Sequence, residues 1–206
     1  NSTKRMKLSF IPQLNEVAEN LELTPIRDFF YNEYIIEIFG GVIFSMMGLF
    51  LIWFLRPKVK ISPKIIKKKN ELGETIYCIK VINKSYIFQL IDLHFELSML
   101  KPISTPKGMN LGIKKIPVKS DHIWFLSRRN KSKKSGNFAT YAIVIKIENY
   151  DLINEWKIQD GAFLDFKVIS KNNFSGITGI THEKYNHHSS VKEGEFCHGN
   201  SMDIEN

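Results

Sequence analysis

The sequence predicts one membrane-spanning helix followed by an antiparallel β-sandwich. Three observations lead there. Residues 38–55 hold eighteen consecutive positions without a charge. Seven bases and no acid crowd residues 56–69 directly afterwards. Beyond residue 75, apolar and polar side chains alternate at the period of a strand with one buried face. Whole-chain averages conceal this division. The 206 residues are 43% hydrophobic, 24% charged and 12% aromatic, with a net charge of +8. The mean hydropathy of −0.17 reads as soluble. Such a composition excludes a wholly disordered chain, and two cysteines exclude a disulfide scaffold.

Four segments follow in order: 1–34, 35–55, 56–74 and 75–206. The first mixes acidic and apolar residues. Thr24 suits a helix cap and Pro25 the first helical position. Ile26, Phe29, Phe30 and Tyr34 then recur at helical spacing. The segment reads as a short interfacial helix or as the first turns of the span, and has no second apolar run able to cross a membrane.

The span itself is 35–55, with a single acid, Glu37, near its start. Its 21 residues make a helix of roughly 31 Å, close to the hydrocarbon thickness of a bilayer. Eleven of the eighteen uncharged residues are Leu, Ile, Val or Phe, which favours insertion by roughly 3 to 7 kcal/mol. A buried core helix would show a polar face, and this run has none. The apolar run starts too late for a cleaved signal peptide, and no small-residue cleavage site follows it. Pro57 stops the helix near Leu55 because it lacks the next amide donor.

Arg56, Lys58, Lys60, Lys64, Lys67, Lys68 and Lys69 follow the span, whereas Arg27 is the only base in the fifteen residues before Ile35. That asymmetry predicts an outside N-terminus and a cytoplasmic C-terminal domain in the cell membrane. Residues 1–34 sum to −1 and residues 56–206 to +10. Each base near an acidic leaflet contributes about 1 kcal/mol, so the seven are candidates for contact with anionic lipid headgroups. Gly41, Ser45 and Gly48 share one helix face at spacings of four and three. Small residues let helix backbones approach closely, so a homo-oligomer or another membrane protein is the expected partner of this face.

In the C-terminal part, Thr75–Asn83 reads as a strand with Tyr77, Ile79 and Val81 on one face. Over 87–100, Ile91, Leu93, Phe95, Leu97 and Met99 point one way, while Asp92, His94, Glu96 and Ser98 point the other. Residues 139–148 place Tyr141, Ile143, Ile145 and Ile147 together. Segments 163–170 and 177–183 are further strands, with shorter ones at 58–62, 113–118 and 122–126 and a helical turn at 150–156. Such strands, separated by Gly, Pro and Asn, make an antiparallel sandwich.

The chain has no phosphate-binding Gly-rich loop, no His-Glu-x-x-His and no Gly-x-Ser-x-Gly, so no catalytic residue is assigned and no enzyme is expected. Cys78 reads as a small buried apolar residue. His182, His187, His188 and His198 with Cys197 form the one metal-like group, but their spacing fits no zinc pattern. They are expected to be solvated, and no metal or cofactor is assigned. His94 and His122 read as structural. Arg128, Arg129, Lys131, Lys133 and Lys134 read as a solvated hairpin tip, with no nucleic acid as partner.

The order of motifs resembles a known family. A membrane helix ends in Phe54-Leu55-Arg56-Pro57, and a strand with Val59, Ile61 and Ser62 follows. Tyr77-Cys78-Ile79-Lys80-Val81-Ile82-Asn83 comes next, then Leu90-Ile91-Asp92-Leu93-His94-Phe95-Glu96-Leu97. This is similar to the inner-helix exit and first cytoplasmic strands of inward-rectifier potassium channels. Ser120-Asp121-His122-Ile123 with Leu126-Ser127, and the stretch 191–196, match that family only loosely. The resemblance spans roughly 40–204 and implies an immunoglobulin-like cytoplasmic sandwich. It also implies anionic-lipid contacts at Arg56, Lys58 and Lys60, and a hinge at Gly48. The chain departs from the family in holding no pore helix and no Thr-x-Gly-Tyr-Gly filter. The expected function is therefore a single-pass binding, sensing or regulatory module at the inner membrane surface. An oligomeric, channel-like pore former is the alternative.

Overall fold

The structure, a computed structural model, describes residues 33–129, 140–147, 150–159 and 161–205. The expectations for residues 1–32, including the helix start at Thr24 and Pro25, lie outside the described residues, as do Lys131, Lys133 and Lys134. The chain divides into two units, Asn1–Phe54 and Leu55–Asn206, each described by itself.

The first unit contributes helix α1 (Glu33–Leu55). Its part Glu37–Leu55 is long and apolar enough to cross a membrane, with a mean hydropathy of 2.3 and none of its window buried. Phe44, Met46, Leu49, Phe50 and Trp53 all stand exposed. Exposure of the window along its whole length agrees with a sequence that carries no polar stripe.

The second unit contains, in chain order, β1 (Val59–Ile61), β2 (Ile65–Lys69), β3 (Thr75–Asn83), β4 (Leu90–Thr105), β5 (Gly108–Ile116), β6 (His122–Leu126), β7 (Ala142–Ile147), α2 (Leu152–Ile158), β8 (Phe163–Asn172), β9 (Thr178–Tyr185), β10 (Val191–Glu193), β11 (Glu195–Phe196) and β12 (Ile204–Glu205). They form two five-stranded sheets and a small C-terminal hairpin. In the first sheet β3 pairs with β7 along one edge and with β1 and β2 in succession along the other. In the second, β4 pairs with β8 along one edge and with β6 and then β5 along the other, and β9 continues from β8.

The two sheets enclose one apolar core. Tyr77, Ile79, Val81, Ile145 and Ile147 come from the first, and Leu93, Phe95, Leu97, Leu164, Phe166 and Val168 from the second. Phe95 and Phe166 stack across neighbouring strands with ring centroids 6.3 Å apart. Helix α2 closes one side with buried Leu152 and Trp156, and the Trp156 indole donates to the Ala162 carbonyl at 2.7 Å. The arrangement is β-rich and sandwich-like, with one apolar helix ahead of it.

Three features differ from the expectation. Strand β4 starts at Leu90, and its apolar phase flips near Asp92. One extra residue of β4 lies between the Ile91 and His94 pairings with β8, a β-bulge, and Asp92 takes φ +53°. Leu90 and Leu93 are therefore both buried while Ile91 is only half-buried. Strand β2 falls in the segment 56–74, whose run of lysines predicts a basic juxtamembrane linker after the first strand. Ile65 and Ile66 are nonetheless fully buried, and the following lysines keep their ammonium groups at the sheet margin. Finally, β2 and β10 pair in parallel, so the sandwich is not wholly antiparallel.

The break between β1 and β2 has a local cause. Pro63 cannot donate, and Ser62 replaces the lost regularity. Its amide donates to the Lys80 carbonyl at 2.8 Å, and its hydroxyl donates to the Lys64 carbonyl at 2.9 Å. The buried Tyr185 hydroxyl donates to the Ser62 carbonyl at 2.7 Å, and burial pushes the Tyr185 pKa well above the ordinary phenol value.

Phe166→Ala is expected to destabilise the domain by about 3 to 5 kcal/mol. Tyr185→Phe, which leaves the Ser62 carbonyl without its donor, is expected to cost about 1 to 3 kcal/mol. Urea unfolding of the two variants in parallel checks the order.

Candidate functional site

The region that combines charge, a cavity and buried polar chemistry is β1 and β2 with the outer face of the first sheet. Its starting point is Leu55. The Leu55 carbonyl, left without a helical partner as last carbonyls are, accepts from Asn172 Nδ2 at 2.7 Å and from Ser175 Oγ at 3.3 Å. Asn172 is buried, and its Oδ1 also accepts the Phe174 and Ser175 amides, so one side chain fixes both the turn after β8 and the start of the domain. Pro57 lies against Gly179, where an added Cβ would come within 3.1 Å of the proline ring.

From there the seven bases follow one another along β1 and β2 as a stripe in sequence and not on one surface, because β2 lies between β3 and β10 and Lys67 and Lys68 leave it on opposite faces. At 3.3 Å per strand residue, Arg56 and Lys69 are separated by up to roughly 40 Å. Arg56, Lys60, Lys64 and Lys69 are exposed, and Lys58, Lys67 and Lys68 are half-buried. The far end of the stripe already meets acids. Lys68 Nζ donates to Glu195 at 2.7 Å, and Lys67 lies 3.5 Å from Glu193. Through this bond Glu195 raises the Lys68 pKa, and Lys68 holds Glu195 below the usual carboxylate range.

Glu195 opens the C-terminal hairpin, which covers part of the outer face of β3. Ile66, Ile76 and Cys78 form a second apolar cluster there against Phe196 and Ile204. Gly194 has φ +130°, and a Cβ would collide with the Glu205 carbonyl oxygen, so only glycine suits that position. Lys80 is almost completely buried, and its ammonium donates to the carbonyls of Cys197 at 2.6 Å and Ser201 at 2.8 Å. Burial pushes its pKa below the ordinary lysine value, against the pull of Cys197 and Asp203. A cavity of about 280 Å³ lies between sheet and hairpin, lined by Lys68, Cys78, Lys80, Val144, Phe196 and His198 among others. Cys78 is buried and Cys197 half-buried, and neither forms a disulfide. The place has an apolar floor, and its two ammonium groups are taken up within the protein, Lys80 by two carbonyls and Lys68 by Glu195.

The other sequence-named residues are dispersed. Gly41 and Gly48 have open space where a side chain would stand, and the Ser45 hydroxyl donates back to the Gly41 carbonyl at 2.8 Å. His182 Nδ1 lies 3.3 Å from Asp165, while His187 caps a short 3₁₀ turn. The His187 and His188 rings lie 3.9 Å apart, but His198 lines the cavity and His182 faces Asp165, so the four histidines do not converge as one group. The Arg129 guanidinium stands over the Tyr86 ring at 5.0 Å, and Arg128 is exposed.

One convergence went unread in the sequence. His94 faces His122 directly across the β4–β6 ladder, and Asp92 Oδ1 lies 3.1 Å from His94 Nε2 and 3.0 Å from His122 Nε2. The imidazoles, His122 foremost, hold the Asp92 carboxyl below the usual carboxylate range. The i, i+2 spacing on β4 was visible, but the cross-strand register that adds His122 was not.

Comparison with known proteins returns little. No protein-family model and no curated protein matches the chain. Among solved structures, one described as a protein from Archaeoglobus fulgidus is 13% identical, over 62% of this chain and 92% of that one, with a TM-score of 0.23. A likeness that weak identifies neither fold nor function.

Two outcomes are expected at the hairpin. Lys80→Met leaves two carbonyls without a charged donor, each such bond contributing about 1.5 to 3 kcal/mol. Amide exchange in 195–205 should accelerate roughly 10- to 100-fold while the exchange of β8 is unchanged. Acid should act on the same element. The folded Glu195 has a lowered pKa, so its pairing with Lys68 is complete above its ordinary value of 4.5 and is lost as pH falls through the lowered value. Hydrogen exchange of β11 and β12 measured across that range checks the direction.

Proposed function

We propose that the chain is a single-pass membrane protein whose C-terminal β-sandwich works as a non-enzymatic binding or sensing module at the cytoplasmic surface of the cell membrane. The observation that carries this reading is the exposed apolar helix Glu37–Leu55, followed within fourteen residues by seven bases. The base asymmetry supports a cytoplasmic C-terminal domain. Anionic lipid is the proposed partner of Arg56, Lys58, Lys60 and Lys64. Lys67 and Lys68 face Glu193 and Glu195, so their share in lipid contact is smaller. The two sheets with mostly antiparallel pairing support an immunoglobulin-like reading of the sandwich. The motif order from Phe54 to Leu97 supports a relationship to inward-rectifier cytoplasmic domains; fold alone does not carry activity across.

A second reading, an oligomeric channel-like or pore-forming protein, rests on Gly41 and Gly48. Both leave open space on one helix face, and the intervening Ser45 has its hydroxyl tied to the backbone. A close helix pair is the geometry such a face favours.

Protease treatment of oriented vesicles tests the first reading. A C-terminal epitope should be cleaved from the cytoplasmic side and an N-terminal epitope protected there; the reverse pattern overturns the orientation. In nanodiscs, replacing neutral by acidic headgroups should slow amide exchange in 56–64 more than in 67–69. Step-like conductance of the purified chain in planar bilayers, abolished by Gly41→Leu with Gly48→Leu, would favour the second reading over the first.

A further inference from the structure

We propose that Asp92, His94 and His122 bind a divalent d-block cation of the zinc class. The argument begins with the number and kind of donor atoms. Two imidazole nitrogens and one carboxylate oxygen lie within 4.8 Å of one another, and no other group of three such ligands gathers among the described residues. Ligands held at about 2.0 to 2.1 Å by a tetrahedral ion stand about 3.3 Å apart. The two Asp92–His separations are 3.1 and 3.0 Å. Both lie close to that spacing, and the third pair, the two imidazole nitrogens, lies within 4.8 Å, so side-chain rotation alone can bring all three donors onto one ion.

Orientation adds to distance. Both histidines turn the same atom, Nε2, toward one carboxylate oxygen, and their rings lie 4.4 Å apart at 30°. Hydrogen bonding alone does not require two rings to converge on a single oxygen when the second oxygen of the same carboxylate is at hand. The backbone holds this convergence. His94 and His122 are paired in the β4–β6 ladder, and Asp92 sits two residues before His94 at the bulge. The Trp124 ring meets His122 edge-on at 4.9 Å and fixes its plane.

The donor set selects the ion. Calcium and magnesium take oxygen ligands, and a site with two imidazoles serves them poorly. Two histidines and a carboxylate are instead a recurrent set for zinc and for ferrous iron. The His94, Asp92 and His122 side chains retain 54%, 52% and 26% of their exposure, so the remaining coordination positions open to water or to an external ligand. Binding uses the Nε2 lone pair of each ring, so each imidazole coordinates in the tautomer that carries its proton at Nδ1.

The test uses the full chain in detergent micelles after removal of metal with a chelator. Zn²⁺ titrated calorimetrically should bind at one site per chain, and Co²⁺ should give the visible absorption of a tetrahedral ion. Asp92→Asn and His122→Gln should each lower Zn²⁺ affinity roughly tenfold or more, with the metal-free melting temperature unchanged, and His187→Ala with His188→Ala should leave affinity unchanged. Co²⁺ should also broaden the His94 and His122 ring resonances of the unaltered protein and spare those of His182, a readout that needs no variant. Absence of Zn²⁺ binding overturns the proposal. So does binding indifferent to Asp92 and His122, binding lost with His187 and His188 instead, or broadening confined to other histidines.

Discussion

Strand β4 is the constraint on which the domain depends. It is the longest strand, and it alone joins β5, β6 and β8. Leu93, Phe95, Leu97 and Met99 supply the inner face of the second sheet from one continuous run. A strand that serves partners on both edges must keep two registers compatible. The bulge at Asp92 does this on the β8 side, where one extra residue is absorbed, while the β6 ladder continues without a slip. Its cost is a non-glycine residue at positive φ. Asp is among the residues that tolerate that region best. The consequence extends beyond packing, since the same bulge brings the Asp92 carboxylate beside two imidazoles.

The net charge takes a different meaning once the stripe is laid along β1 and β2. A sum over 56–69 treats seven bases as equivalent, but the fold divides them. Those nearest Leu55 follow a junction held by the Asn172 clasp and are exposed or half-buried. Those at the far end of β2 lie opposite acids brought by the C-terminal strands. Exposed ion pairs of this kind contribute little to stability. Their effect is on the distribution of charge, since Lys67 and Lys68 are partly neutralised by Glu193 and Glu195.

The helix and most strands were legible because each follows from a periodicity internal to its own segment. Thr75–Asn83 and His122–Leu126 coincide with their expected limits for that reason. Strand β2 was not legible. Three lysines in five residues look like a solvated linker unless two preceding isoleucines are known to face cores on opposite sides of a sheet. The metal-like group failed for a related cause. Histidines 182, 187, 188 and 198 are close in sequence, yet only His187 and His188 lie together, and the four do not gather into one ligand set. His94 and His122 are 28 residues apart, and one antiparallel register makes them neighbours. Local pattern yields elements; only pairing yields sites.

Buried polar side chains complete what the apolar core leaves undetermined. Apolar contacts are non-directional and would tolerate many routes for the connections between strands. Asn83 Nδ2 donates to the carbonyls of Phe88 and Ser127, binding two loops together. Asn172 binds the start of the domain, Tyr185 binds the break between β1 and β2, and Lys80 binds the C-terminal segment. Each of these donors would be costly if left alone in the interior, so a chain that placed any connection elsewhere would leave a donor unsatisfied. Lys80 carries this furthest, because an ammonium loses the most on leaving water. Its two carbonyl acceptors lie in the last ten residues of the chain, so the buried charge is compensated only when the C-terminal hairpin is in place. The hairpin is thereby tied to the first sheet by the same residue that makes its absence unfavourable, and the cavity beneath it is formed with its ammonium group already oriented.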